Sequence, residues 1–388
     1  MTNLAHKTIL QLIPSLKSGG AEMACIEVAA AITQSGGRAL VASVGGAWAH
    51  RIERAGGQHL TMALNTKNPF KLRRNAKLIA QLIKDEKIDL VHARSRGPAW
   101  SAYWATRATK TPFVTSFHSA YGYDALMAGG LQKWLKLKYN RVMSYGDRVI
   151  VISNYISQHV KQFYNVANDK LRLIYRGVDL NLFDAQKISQ ERMIALAHQW
   201  QVPHDKPLLL MPGGMRRLKG HVPLIEALSR LPHKNWFCVI LGADLPMSAY
   251  QTSLQKLILA RGLGGYVRFA PRCNDIPAAM KLAHVVLYPS LVPEGFGRMP
   301  IEAQALGVPI IATNLGATAE TICDHGITGW LVPKNDPTAL ASAMQKALLL
   351  APAERIALAA RAKAWVAANF TTQNLQTKTL AVYGELLL

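Results

Sequence analysis

Short apolar runs recur along this chain, and each gives way to a longer segment whose apolar residues return at helical spacing. In the first half the runs fall at 8–16, 39–44, 88–93, 113–117, 149–153 and 171–175. In the second half they fall at 207–211, 236–242, 267–270, 284–288 and 308–313. They are continuous rather than alternating, so they read as strands buried on both faces, which marks a parallel sheet covered by helices. Segments at 22–32, 68–87, 131–145, 154–163, 223–231 and 248–261 supply those helices. The order predicts an α/β fold, and 388 residues are enough for two separate cores.

The stretch 289–320, PSLVPEGFGRMPIEAQALGVPIIATNLGATAE, carries the clearest chemistry. It reads as strand, loop, helix and strand, with Pro300 in the first helical turn, where a missing N–H has no helical partner to lose. Gly295 and Gly297 bracket Phe296 in the loop and let the backbone approach a ligand. A helix start there suits a phosphate. Glu294 and Glu302 flank it, and a carboxylate accepts from vicinal hydroxyls, as a ribose or hexose requires. Phosphate and polyol binding side by side describe a nucleotide sugar. Read singly, either glutamate is also a surface or helix-start residue complementing the dipole.

Composition adds a constraint and charge adds a partner. Half the residues are hydrophobic and 18% are charged, the profile of an ordered globular chain. Cys25, Cys238, Cys273 and Cys323 are scattered, with no Cys-x-x-Cys pair and no Cys/His metal spacing. No apolar run approaches the roughly 18 residues of a membrane span, and no signal peptide is read. The net charge is +22, concentrated in residues 1–180, where 25 Lys/Arg stand against 10 Asp/Glu, a net of +15. Residues 181–388 hold 20 against 13, a net of +7. A basic half attracts anionic lipid, phosphorylated glycan or nucleic acid. No nucleic-acid module or basic–aromatic platform is found, so nucleic acid is not an expected partner. The 131–145 segment sets Trp134, Leu135 and Leu137 among Lys133, Lys136, Lys138 and Arg141, which reads either as a helix lying on an anionic membrane surface or as one packing on its own domain.

Two other loops carry candidates. Arg94 and Arg96 follow the 88–93 strand at its carboxyl end, where ligands bind open α/β sheets, and suit an anionic acceptor. Lone surface arginines are the alternative. In PGGMRRLKG, glycines and the cations Arg216, Arg217 and Lys219 suit a diphosphate.

The run E-G-F-G-R-M-P-I-E, glutamate, seven residues, glutamate, resembles the retaining glycosyltransferases of family 4, and the likeness extends along nearly the whole chain. It is most similar to bacterial members that build lipopolysaccharide or other envelope glycans. The resemblance implies the GT-B fold: two Rossmann-like domains facing a central cleft, with C-terminal helices returning to the N-terminal domain. It places an acceptor-binding domain at 1–183, a linker at 184–205, a nucleotide-sugar-binding domain at 206–369 and a returning helix at 370–388. It assigns Gly19 and Gly20 of the G-G-x-E loop to the donor phosphate and acceptor. It assigns His118, directly after the 113–117 strand, to the transferred sugar, and Ile276 to the region of the base. Lys219 matches the family's diphosphate lysine, while Gly214 stands where the family carries an arginine, leaving Arg216 or Arg217 to take that place. The implied donor-binding set is Gly19, Gly20, Arg216, Arg217, Lys219, Ile276, Glu294, Gly295, Phe296, Gly297 and Glu302, with His118, Glu294 and Lys219 catalytic and Arg94 and Arg96 at the acceptor.

The expected activity is metal-independent sugar transfer from a nucleotide donor, UDP- or GDP-linked, to an envelope glycan or lipid-linked acceptor. No cofactor is expected beyond that substrate. The expected place is the cytoplasm, at the inner face of the cell membrane. Two alternatives keep the donor loops: a GT-B nucleotide-sugar epimerase, and a catalytically silent nucleotide-sugar-binding protein, which Gly214 would explain.

Overall fold

The structure is a computed structural model that describes residues 2–17, 19–121 and 130–387. Ser18 of the glycine loop and Leu388 of the returning helix lie outside them. The chain divides into two compact units, Met1–Gly177 with Thr372–Leu388, and Val178–Thr371.

The first unit holds a seven-stranded parallel sheet: β1 (Thr8–Leu12), β2 (Arg38–Ser43), β3 (Gln58–Thr61), β4 (Leu90–Ala93), β5 (Phe113–Phe117), β6 (Arg148–Val151) and β7 (Leu171–Leu173). Their spatial order is β3-β2-β1-β4-β5-β6-β7. Every residue of β1, β4 and β5 is buried, as strands covered on both faces must be. The Thr372–Leu387 helix belongs to this unit. Its Leu375, Leu380 and Tyr383 share a core cluster with Val28 and Ile32 of the Gly20–Gln34 helix. Gln376 Nε2 donates to Glu27 O at 2.8 Å.

The second unit holds a six-stranded parallel sheet: β8 (Leu208–Pro212), β9 (Phe237–Ala243), β10 (Val267–Pro271), β11 (Val285–Tyr288), β12 (Ile310–Thr313) and β13 (Trp330–Val332). The order is β10-β9-β8-β11-β12-β13. Trp236, Leu209, Ile240 and Leu287 lie at its core.

Several readings of the sequence change. The boundary falls after Gly177 rather than 183, and residues 184–205 contain the Gln190–Gln199 helix of the second unit. That segment is structured because Arg192 binds Asp275 and the helix packs on the Ile276–Leu282 helix. Two edge strands, β3 and β13, were not read at all. Residues 96–109 form a full helix, Arg96–Thr109, so Arg96 opens a helix, and Arg94, in the two-residue connection before it, is 3% exposed rather than solvated. Pro300 does stand in a first helical turn, that of the Arg298–Ala305 helix. Among the described residues no helix is long and apolar enough to cross a membrane.

Candidate active site

In an open parallel sheet, ligands bind beyond the strand carboxyl ends where the strand order reverses. In the second unit that point lies between β8 and β11. The loops leaving these strands are 213–220 and 289–297, the two glycine-rich stretches of the sequence.

Two glycines fix these loops, Gly220 joining one to the other and Gly316 tying the second to the segment after β12. Gly220 has φ +83°, and a Cβ there would stand 1.9 Å from Pro289 O. Leu291 N donates to Leu218 O at 2.8 Å beside it. Gly316, at φ +65°, forms a backbone bridge with Glu294, and a Cβ would meet Glu294 O at 2.7 Å. Ala317 N donates to that same oxygen at 3.1 Å. The backbone of Glu294 is therefore fixed by a segment from beyond β12, and its carboxylate is aimed rather than free to wander.

The side chains converge. Lys219 Nζ donates to Glu294 Oε1 at 2.8 Å. The same ammonium lies 5.3 Å from the centroid of the Tyr288 ring. Tyr288 is buried, and burial, the Glu294 charge and its hydrogen bond to Glu294 hold the phenol well above its ordinary value, so it is a donor to that carboxylate. Arg298 Nε lies 3.2 Å from Glu302 Oε1, one helical turn apart. The site thus sets two cations against two carboxylates around one phenol, at the start of an eight-residue helix, Arg298–Ala305.

Of the two arginines in the 213–220 loop, Arg216 bears electrostatically on Tyr288, whereas the Arg217 guanidinium lies 4.7 Å from the Tyr250 ring. Gly214 is exposed, with nothing within 4 Å of where its Cβ would be. The Phe296 side chain is 3% exposed and packs edge-on against Phe370 at 5.7 Å. Phe296 therefore anchors the Gly295–Gly297 turn through the core. Ile276 opens the Ile276–Leu282 helix, whose cap Asp275 is held below its usual carboxyl range by hydrogen bonds from Arg192. A cavity of about 770 Å³ in this unit is lined by residues such as Met193, Ile194, Lys281 and His284 and by none of the sequence-selected residues.

The first unit gathers a second cluster at its own reversal point, between β1 and β4. Arg94 Nε donates to Gln11 Oε1 at 2.8 Å, in the buried interior. Both ring nitrogens of His118 are buried and make no hydrogen bond among the described residues. Burial, then Arg176 and Arg94, push the imidazole well below its ordinary value, so it is neutral. Gly20 lies against Arg176, with a built Cβ 3.3 Å from Nη2, and Gly19 lies against Glu22. Burial raises the Glu22 carboxyl. Arg94, His118 and Arg176 border a cavity of about 10 Å³, the scale of one water molecule. Arg96 stands apart from them: it donates to Asn140 and lies 4.5 Å from the Tyr121 ring.

Sequence reasoning missed Arg176, Tyr288 and Arg298. Arg298 stands inside the glutamate motif, Tyr288 closes an apolar strand run and Arg176 follows one, and residues at a strand's carboxyl end face the region where ligands bind.

The Glycosyltransferase Family 4 model matches residues 18–182, and the model for glycosyl transferases group 1 matches residues 194–365. A D-inositol 3-phosphate glycosyltransferase of Arthrobacter sp. is 30% identical over 305 residues, covering 76% of this chain and 70% of that protein. A crystal structure of a glycosyltransferase from Rickettsia africae ESF-5 is 35% identical, with a TM-score of 0.89 over 98% of this chain and 99% of that one. Anabaena Alr3699/HepE, solved in complex with UDP-glucose, is 23% identical, with a TM-score of 0.81 over 98% of this chain and 100% of that one. That last likeness speaks for the fold.

Proposed function

The chain belongs to glycosyltransferase family 4, and from that premise we propose that it moves a hexosyl group from a nucleoside diphosphate sugar to a glycan or lipid-linked acceptor of the cell envelope, with retention and without a metal. The observation that carries this reading is the meeting of Lys219, Glu294, Tyr288 and Glu302 at the strand reversal of the second unit.

Each group has a part. The donor diphosphate would take Lys219 from Glu294, with Arg216 beside it. Negative charge grows on the diphosphate as the anomeric C–O bond breaks, so fixed cations lower the barrier more than they tighten ground-state binding. Glu294, released and still oriented by Tyr288, would accept from sugar hydroxyls. Glu302 would accept from the ribose. The acceptor oxygen bonds to the anomeric carbon, and its proton leaves with the diphosphate. In the first unit, neutral His118 is suited to hydrogen-bond a hydroxyl rather than to pair with an anion. Arg96 and the basic surface suit an anionic acceptor at the inner face of a membrane.

The test is a thermal-shift and calorimetry panel of UDP, GDP, ADP and dTDP in chelator. Binding of one nucleotide, followed by donor-sugar consumption with envelope acceptors, is the expected result. A second reading, a silent nucleotide-sugar-binding protein, is favoured by one observation, the cation missing at Gly214. Donor binding with no turnover on any acceptor would select it, and binding of no nucleotide would sink both.

A further inference from the structure

The Pro69–Asp85 and Arg96–Thr109 helices pack side by side in the first unit, yet a groove of about 350 Å³ stays open along their seam. It is open because its floor is small: Ala76 and Ala80 from one helix, Ala105 and Ala108 from the other. Trp104 forms one wall. Arg73 and Lys77 stand at the rim, the Arg73 guanidinium 5.6 Å from the Trp104 ring. Among the described residues neither cation makes an ion pair.

The groove continues into an aromatic and basic face. The Trp104 ring lies tilted against Trp100 at 5.4 Å, and Trp100 Nε1 donates to Tyr139 O at 2.9 Å, in the Gly130–Asn140 helix. That helix exposes Leu131 (71%), Trp134 (55%) and Leu135 (51%) among Lys133, Lys136 and Lys138. Its Tyr139 and Thr66, just before the Pro69–Asp85 helix, both crowd Gly97, and Phe70 in the first turn of that helix is 82% exposed. From Leu90 to Gly146 the sequence holds eight Lys/Arg and one acid, Asp124. Tryptophan, tyrosine and cations beside exposed aliphatic residues are the chemistry of a bilayer interface. A methyl-floored groove offers nothing to the bases of a nucleic acid, but it fits an acyl chain whose phosphate reaches the rim cations.

We propose that this groove seats one acyl chain of an anionic phospholipid, its phosphate held by Arg73 and Lys77, so that the first unit engages a membrane through a bound lipid as well as through diffuse charge. The inference rests on the membrane reading given above and adds a defined lipid site to it.

The test is flotation of the full chain with phosphatidylcholine vesicles, with and without phosphatidylglycerol. Two groove-filling variants, Ala80→Phe and Ala108→Trp, are compared with Arg73→Glu/Lys77→Glu and with Lys334→Glu/Lys346→Glu on the other unit. Melting temperature and nucleotide binding are read on every variant. The wild type is expected to float only with the anionic lipid. Each filler should weaken it about tenfold, roughly two buried methylenes' worth, with the fold and nucleotide binding unchanged. The rim reversal should weaken it far more than the remote reversal. Fillers that float like the wild type, or equal losses from both reversals, would overturn the lipid site and leave membrane attraction by bulk charge standing. No flotation at low salt would end the membrane reading and the lipid site together, while nucleotide binding still decides the transferase reading separately. If a filler unfolds, the rim reversal, at exposed positions, decides.

Discussion

Lys219 and Glu294 are each other's partner, Nζ to Oε1 at 2.8 Å, although they come from loops after different strands. On the proposed reading a donor diphosphate breaks this pair to reach the lysine, which frees the carboxylate for the sugar. Lys219→Met should therefore cut kcat by about 10²–10³, the scale of losing one transition-state donor. Steady-state kinetics against donor concentration check it. An unchanged kcat would move the diphosphate site elsewhere.

Glu294→Gln keeps the shape of the pair and removes its charge. Nucleotide affinity should stay within about tenfold of wild type, because Glu294 is assigned to the sugar, while turnover falls by at least about 10². Calorimetry with nucleotide and a single-turnover assay with donor separate the two. Wild-type turnover would remove the sugar contact.

Gly214→Arg tests the departure from the family. The position is exposed, with nothing within 4 Å of its Cβ. The variant should melt within about 0.5 kcal/mol of wild type and bind nucleoside diphosphate about tenfold tighter through one charge-assisted hydrogen bond. Equal affinity would show that Arg216 already fills the place.

Gly220→Ala should do the opposite. At φ +83°, with a Cβ 1.9 Å from Pro289 O, the residue cannot be replaced without parting the two loops. A loss on the order of 3 kcal/mol is expected in urea unfolding, with a raised donor KM because Lys219 precedes it. A variant as stable as wild type would mean the loops are not locked there.

Acid should loosen the second unit through His221. Burial first, and then Lys219, lower its pKa to about 4, against about 6.5 for an exposed histidine. Between these values the unfolded chain binds the proton and the folded chain does not, so stability rises with pH. The contribution is complete above pH 6.5 and is lost as pH falls toward 4, on the order of 3 kcal/mol across the window. His92 and His118 shift in the same direction in the first unit. Urea unfolding at pH 7 and pH 4.5 measures it, and His221→Gln should flatten the slope.

What could be read from sequence follows burial. The strands near each sheet's middle were legible because all their residues are apolar or enclosed, as in β8 and β11. β3, Gln-His-Leu-Thr with exposed ends, is an edge strand with no apolar run to see. The Arg96–Thr109 helix was hidden by Gly97-Pro98 at its start, two breakers that the first turn tolerates. Gly97 is there for space, since a Cβ would meet Thr66 O at 2.8 Å. Glu294 and Glu302 were legible because seven residues of one motif separate them. Tyr288 and Arg176 were not, because what makes them matter is which charges fold against them. Arg94 showed the limit from the other side: its type and position at a strand end were read, but not that Gln11 holds it in the interior.

Val178 and Thr371 pair across a backbone bridge, and Val178 N donates to Phe370 O at 2.9 Å. The second unit thus begins and ends at one doorway, as an uninterrupted cassette inserted in the first. Such a module can be cut out or exchanged at two adjacent joints without rethreading either sheet. On the proposed reading, which puts the donor on this cassette, donor choice is then heritable separately from whatever the surrounding frame recognises.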